Sequence, residues 1–153
     1  MKKTTNKGFS MVELIIVIAI MAILAAALAP SLIKYINKSR LSTDLSTGNS
    51  IVSAATSAMA VEKANDVAAS YASWTDVNSV LNQKGSNSFA SEFANVMAVD
   101  SVTGKSKKDV TGATFDNPGV FFMQISGNAV NVAYGATDAA HMVSPTTGTA
   151  LAE

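Results

Sequence analysis

Apolar residues fill the chain almost without interruption from Phe9 to Ala29. A helix rises about 1.5 Å per residue, so this run covers about 30 Å, the thickness of the hydrocarbon core of a bilayer. Glu13 is the one charged side chain inside it. The pattern predicts a single membrane-spanning helix near the amino terminus, and no later segment offers a second span.

Glu13 is the most informative residue of this run. A charged side chain at the centre of a bilayer costs about 2.5 to 3.5 kcal/mol, so such residues are rare, usually paired and functional by default. The surrounding leucines and isoleucines each return about 0.3 to 0.6 kcal/mol, and together they roughly offset one acid. The segment can therefore insert, and Glu13 is expected to have a partner.

The residues before the run set its orientation. Lys2, Lys3 and Lys7 precede it with no acid among them, so the positive-inside rule holds the amino terminus in the cytoplasm and sends the rest outward. A secretory signal peptide begins in the same way, and the small residues 25–27 could serve as its cleavage site. A buried glutamate would have no purpose in a discarded segment, which favours a retained anchor.

Beyond Pro30 the pattern becomes amphipathic. Proline has no amide hydrogen, so Pro30 is expected to kink or end the helix. Glycine in a helix costs about 1 kcal/mol, and Gly48-Asn49 could instead be a C-cap followed by a fresh N-cap. We expect the helix to continue through Gly48, where it can bend. Apolar residues recur on one face, with charged residues and serines on the others. That face comprises Leu32, Ile36, Leu41, Leu45, Val52, Ala55 and Met59.

Two short helices are predicted next. Residues 73–76 resemble a capping box for a helix that ends at Gly85 and buries Val77, Val80 and Leu81. Ser88 is expected to cap a second helix. Its predicted buried residues are Phe89, Phe93, Val96 and Met97. The polar segment 100–108 is interpreted as an exposed loop.

Strands are predicted at 119–126 and 129–134, joined at Gly127-Asn128, a pair typical of a hairpin turn. A third strand is expected near 140–144. The small polar residues from 144 to 149 are expected to form a mobile tail. Strands packed on a long amino-terminal helix give an α+β fold, with a small head of short helices and an antiparallel sheet.

Composition argues against enzyme chemistry. The chain has no cysteine and one histidine, His141, so the usual zinc sites and Cys-His pairs are excluded. No serine lies in a nucleophile-elbow motif. Residues 104–106 resemble the end of a P-loop, but the earlier glycine is missing and Val99 stands in its place. Asp109, Asp116 and Asp138 match no EF-hand spacing and are interpreted as surface acids, with a weak calcium site left open. We predict no catalytic residue, metal or cofactor.

The residues Gly8-Phe9-Ser10-Met11-Val12-Glu13 resemble the signature of type IV prepilins, and the resemblance extends from Lys7 to Pro30. It implies that a membrane peptidase cuts between Gly8 and Phe9 and that Phe9 is then N-methylated. It also implies that Glu13 pairs with the new amine of a neighbouring subunit, with Pro30 closing the assembly helix. The amine of its own chain, one helical turn away, is the alternative partner.

The resemblance implies four parts: a leader at 1–8, an assembly helix at 9–30, an amphipathic half-helix at 31–64 and a head at 65–153. The expected function is a pilin that forms a homo-oligomeric filament. Its partners are the prepilin peptidase, the pilus assembly machinery and membrane lipid. The subunit is stored in the cytoplasmic membrane and then lies in an extracellular filament. Adhesion, motility and DNA uptake stay open.

Two alternatives are kept. One is a pseudopilin of a type II secretion or DNA-uptake system. The other is a monomeric, signal-anchored binding domain.

Removing the three leader lysines from 11 basic residues leaves 8 against 11 acidic ones, so the exported part is mildly acidic. No direct nucleic-acid binding is indicated, since that needs a clustered basic stripe.

Overall fold

A computed structural model of the chain describes residues 8–145 and 147–152. The leader lysines Lys2, Lys3 and Lys7 lie outside the described residues. The chain divides into two compact units, Met1–Ile36 and Asn37–Glu153, which are described separately.

The first unit is helical from Met11 onward. Helix α1 runs over Met11–Met59, and this unit holds its apolar first part. The helix does not end at Pro30, where the ring removes the amide bond to the carbonyl of Ala26. The side chain of Ser31 stabilises the helix next to Pro30, because its hydroxyl donates to the carbonyl oxygen of Leu28 at 2.8 Å. The apolar side chains of this unit are exposed, as expected of a segment made for lipid or for other helices.

The second unit begins with the rest of α1, which is continuous through Gly48 as predicted. Its buried stripe recurs every three or four residues, the spacing of one helix face. The stripe differs from the predicted one, because Leu32 and Ile36 are exposed and Leu45 and Val52 are only partly buried. The buried positions are Leu41, Asp44, Gly48, Ile51, Ala54, Ala55 and Ala58.

Three short helices follow α1. They are α2, Glu62–Ala68, extended by a 3-10 turn over Ala69–Tyr71; α3, Val77–Leu81; and α4, Ser88–Met97. The capping residues differ from those predicted, since Asp76 caps α3 and Asn87 caps α4 through their side chains. Asp76 lies three residues after Ser73, the first residue of the predicted capping box, and Asn87 lies one residue before Ser88; in both, the short Asx side chain reaches the free amides of the first turn.

The side chain of Ser88 has another partner. Its hydroxyl donates to the carbonyl oxygen of Lys63 at 2.5 Å and thereby ties α4 to α2. Phe89 and Phe93 are fully buried as predicted. Val96 is 49% exposed, so the prediction that it is buried is wrong, and Met97 is only partly buried. The last turn of α4 therefore extends past the core.

Four antiparallel strands form one sheet in the order β1-β2-β3-β4. They are β1, Thr75–Asp76; β2, Phe121–Ser126; β3, Ala129–Tyr134; and β4, Met142–Ser144, which follows a 3-10 turn at Ala139–His141. The predicted hairpin is confirmed, with Ser126 paired to Ala129 and Gly127 at a φ of 59°. Strand β1 was not predicted, because two residues are too few to show an alternation of apolar and polar positions. The predicted α+β fold class is confirmed.

Residues 147–152, which follow β4, pack against the head, and Thr146 of the predicted tail lies outside the described residues. The amide of Gly148 donates to the carbonyl of Met142 at 2.7 Å, and the amide of Ala150 donates to that of Ala140 at 2.9 Å. Leu151 is fully buried. This packing differs from the mobile tail that the sequence predicts, because a single apolar side chain and a tight glycine contact attach the segment to the core.

Candidate functional site

The predicted processing site lies where α1 begins. Gly8, Phe9 and Ser10 are not helical, and Phe9 is 92% exposed. The hydroxyl oxygen of Ser10 accepts a hydrogen bond from the amide of Val12 at 3.3 Å. Glu13 Oε2 in turn accepts one from the amide of Ser10 at 2.8 Å. These two bonds form a capping box, which fixes the start of the helix after Ser10.

The capping box gives Glu13 a partner that sequence reasoning did not name. Serine followed three residues later by glutamate, just before an apolar run, is the signal that could have found it. A carboxylate in the first turn is also stabilised by the positive end of the helix dipole. Glu13 therefore has a donor within its own chain while the Gly8–Phe9 peptide bond is intact.

The geometry leaves the Gly8–Phe9 peptide bond outside the helix. Hydrolysis there would convert the Phe9 nitrogen into an amine one residue from the amide that already binds Glu13. The carboxylate would then face two donors, the Ser10 amide and a cation. Pro30 does not join this group, because the helix between Glu13 and Pro30 is about 25 Å long.

The predicted exposed loop 100–108 is partly buried instead. Val102 and Ser106 are 6% and 3% exposed. Asp44 of α1, 2% exposed, accepts the amide of Lys105 at 2.8 Å and that of Ser106 at 2.7 Å, one on each carboxylate oxygen. The prediction of a wholly exposed loop is therefore wrong. Of the P-loop-like residues, Lys105 and Ser106 thus donate their amides to a carboxylate of the same chain, and Gly104 donates its amide to the carbonyl of Gly119.

Tyr134 completes this buried polar cluster. Its hydroxyl donates to the carbonyl of Ser106 at 2.5 Å and accepts the amide of Gly119 at 3.1 Å. Burial raises the pKa of Tyr134 well above its usual value, and the neighbouring charge of Asp44 adds to the shift. A side chain at Gly104 would overlap the tyrosine ring. Sequence patterns gave no signal for this cluster, since Asp44 sits among polar residues of an amphipathic helix.

The remaining candidate residues serve local structure. The His141 Nδ1 and Asp138 Oδ1 atoms are 2.6 Å apart, and the hydrogen bond from His141 lowers the pKa of Asp138. Slight burial acts to raise the pKa of Asp109, but hydrogen bonds from Thr111, Ala113 and Gly112 lower it overall. Across residues 8–145 and 147–152, no three His, Cys, Asp or Glu side chains form a group that could hold a metal ion.

Comparison with known proteins adds to the geometry of the amino terminus. Among the residues that the structure describes, one helix, α1, is long and apolar enough to cross a membrane by length and composition. A family model described as the prokaryotic N-terminal methylation motif matches residues 3–29. No curated protein and no solved structure matches the chain. The chain therefore carries the N-terminal signature of type IV pilins and pseudopilins, and its apolar helix suggests membrane anchoring before assembly.

Proposed function

We propose that this chain is the structural subunit of a type IV pilus. It is cut after Gly8, N-methylated at Phe9 and polymerised through the apolar part of α1. The observation that supports this most strongly is the methylation motif at residues 3–29, placed on a helix whose apolar side chains are exposed. Function then follows from polymerisation, and no residue of the chain is catalytic.

Processing takes place on the cytoplasmic side of the membrane. Lys2, Lys3 and Lys7 hold the leader inside, and the prepilin peptidase cuts the Gly8–Phe9 bond. The exposure of Phe9 and the capped start of α1 after Ser10 support this, because the scissile peptide is not held in helical hydrogen bonds. The apolar helix stays attached, so the mature subunit remains anchored in the cytoplasmic membrane.

Assembly uses Glu13. In the uncut chain its carboxylate is held by the amide of Ser10. After cleavage it binds the amine of Phe9 in a neighbouring subunit, which sets the lateral register of the filament. An ion pair is favourable in lipid only when both charges are present, so an unpaired subunit is disfavoured there. Pro30 ends the apolar part of the helix that packs inside the filament.

A pseudopilin of a secretion or DNA-uptake system is the second candidate, because the same motif supports it equally. The two differ in their product. Long extracellular fibres in electron micrographs of cells with native expression would favour the pilus. Absence of such fibres, together with short envelope-bound assemblies of the processed chain, would favour the pseudopilin.

Processing is tested by intact mass measurement of the amino-terminal peptide from sheared cell-surface material. We expect a peptide that begins at Phe9 and carries one methyl group. A start within residues 27–29 would overturn the proposal in favour of a cleaved signal peptide. Recovery of the processed chain only as a detergent-soluble monomer would instead support an anchored binding domain.

Assembly is tested with Glu13→Gln and Glu13→Ala. Glutamine keeps an oxygen acceptor for the Ser10 amide but has no charge, whereas alanine loses both. We expect both variants to reach normal levels in the membrane, to be cut after Gly8 and to yield no surface filaments. The matched control is Ser10→Ala, which loses the bond to Val12 but leaves the charge of Glu13 intact and should still assemble. Normal filament yield from Glu13→Gln would contradict the ion-pair role.

A further inference from the structure

Three lysines extend from the loop that Asp44 anchors. Lys105, Lys107 and Lys108 are exposed, whereas Ser106 between them is buried. Within the described part of the chain, none of the three ammonium groups has a carboxylate oxygen within 4.0 Å. We call these three lysines the basic loop. Its positive charge is not neutralised by an ion pair in the head itself.

Hydrogen bonds fix the backbone of the basic loop. Asp44 binds the amides of residues 105 and 106, and Lys107 accepts the amide of Phe115 at 3.1 Å. Lys108 pairs with Thr114 in an isolated bridge. Two acids lie nearby in the sequence. The carboxylate of Asp109 accepts hydrogen bonds from the amides of Thr111 and Ala113 in its own turn. Of the two acids, only Asp116 is exposed to solvent without such hydrogen bonds.

A buried carboxylate is an expensive way to hold a loop, because an apolar core of similar shape is often as stable or more so. Its benefit lies in fixing one backbone conformation, which leaves the side chains on the outer side at defined positions. Binding groups are commonly presented on loops that a rigid scaffold holds. The outward side of this loop consists of lysines, so a negatively charged partner fits it.

Three carboxylates form a second charged surface on the same head. Glu62 and Asp66 are exposed and four residues apart on α2, so they share one face. Glu92 lies on α4, which the Ser88–Lys63 hydrogen bond ties to α2. We call these three the acidic face. Lys63 is the one cation of α2, so the acids are in excess.

The two surfaces are attached to distant parts of α1. The basic loop is attached at Asp44, and the acidic face begins just beyond Met59, at the end of α1. The helix between these residues is about 22 Å long. That exceeds the screening length of about 8 Å at physiological ionic strength. Three lysines against Asp109 and Asp116 at the basic loop, and three acids against Lys63 at the acidic face, leave excess charge that a complementary surface on another molecule can neutralise.

We propose that the basic loop of one subunit docks on the acidic face of a second copy that is displaced along the axis of α1. The contact joins two different surfaces, and such heterologous contacts generate open helical filaments. This inference rests on the proposed pilus function and adds a contact between heads to the packing of the apolar helices. If the heads make this contact, residues outside the methylation motif set the position of each subunit along the filament.

Charge reversal tests the contact on full-length chains expressed in place of the parent. One variant carries Lys105→Glu, Lys107→Glu and Lys108→Glu; a second carries Glu62→Lys, Asp66→Lys and Glu92→Lys. Exposed pairs are individually weak, but the contact repeats along the filament, so we expect each variant to lower sheared-filament yield about tenfold or more. The variant with all six changes should recover at least half of the parental yield.

Lys84→Glu and Asp100→Lys are control variants, since both residues are exposed and lie outside the two surfaces. They should assemble normally. Loss of filaments in both charge variants without recovery in the variant with all six changes would overturn the inference, and loss in the basic-loop variant alone would overturn it in favour of another anionic partner. Normal filaments in every variant would also overturn it and leave the proposed function untouched. No filaments from the parent chain would overturn both.

Cysteine crosslinking gives an independent measurement, because the chain has no cysteine of its own. Lys107→Cys combined with Glu62→Cys should produce a ladder of covalent multimers when surface filaments are oxidised. The same double variant oxidised as detergent-solubilised, unassembled subunits is the control for a bond within one chain, since disulfides need Cα atoms within about 7 Å. Each single variant should give no ladder beyond a dimer. Filaments of the double variant that dissociate entirely to monomers would contradict the contact.

Discussion

Replacing Asp44 with alanine would leave two backbone N–H groups without an acceptor beneath the loop at 105–106. Asp44 is 2% exposed, and its two oxygens accept those amides at 2.8 and 2.7 Å. Leaving a buried donor unpaired costs about 1 to 3 kcal/mol for each group. Relief of the buried charge offsets part of this loss. We expect Asp44→Ala to lower the free energy of unfolding by about 3 kcal/mol.

Asp44→Asn refines the test. Its amide oxygen can still accept one backbone N–H, but its NH2 group is a donor and faces the second N–H. About half of the stabilisation should therefore be lost. Removing the charge should also lower the pKa of Tyr134 toward its usual value, because the charge of Asp44 contributes to the upward shift.

The assay is urea unfolding of the processed chain in detergent, followed by tryptophan fluorescence from Trp74. Hydrogen exchange of the Lys105 and Ser106 amides supplies a local readout, with faster exchange expected in Asp44→Ala. Asp100→Ala is the matched control, since it removes the same charge from an exposed position. If Asp44→Ala unfolds within about 0.5 kcal/mol of the parent, the range of ordinary surface substitutions, the reasoning is refuted.

Three further changes follow from the packing and the titrating groups. Gly48→Ala should destabilise the head by about 1 to 3 kcal/mol in the same unfolding assay, because its Cβ would lie 2.6 Å from Val143 Cγ1; parental stability would show that Val143 moves aside freely. Gly148→Ala should release the last residues to limited proteolysis, since a Cβ there meets the backbone of Ala140. Asp138 has a lowered pKa in the folded state, so its stabilising effect is present above about pH 4 and is lost as pH falls. The difference in urea midpoint between the parent and Asp138→Asn should therefore shrink on acidification, and a constant difference would contradict the assignment.

Local patterns were sufficient for much of the fold. A long apolar run, a helical face and an alternating pair of segments each depend on neighbours close in sequence, so α1 and the β2–β3 hairpin were predicted, although the expected half-helix at 31–64 runs past the end of α1 at Met59. Strand β1 was missed because two residues cannot show a period. The caps at Asp76 and Asn87 were displaced by one to a few residues, since several short polar side chains competed for each position.

The sequence by itself determined the character of the amino-terminal segment. Order and spacing of residues 8–30 define the methylation-motif signature, a segment apolar enough to cross a membrane and one acid, and none of these depends on distant parts of the chain. Even the Ser10–Glu13 capping box is local and could have been predicted.

Only the tertiary structure decided the role of Asp44 and of the loop beyond α4. Asp44 and Ser106 are 62 positions apart, so no local pattern reports that one binds the other. The same holds for the last residues, where buried Leu151 and the amide of Ala150 fix a segment whose composition predicts mobility. Long-range burial overrides local polarity, because a few hydrogen bonds and one buried side chain outweigh the weak preferences of short polar segments.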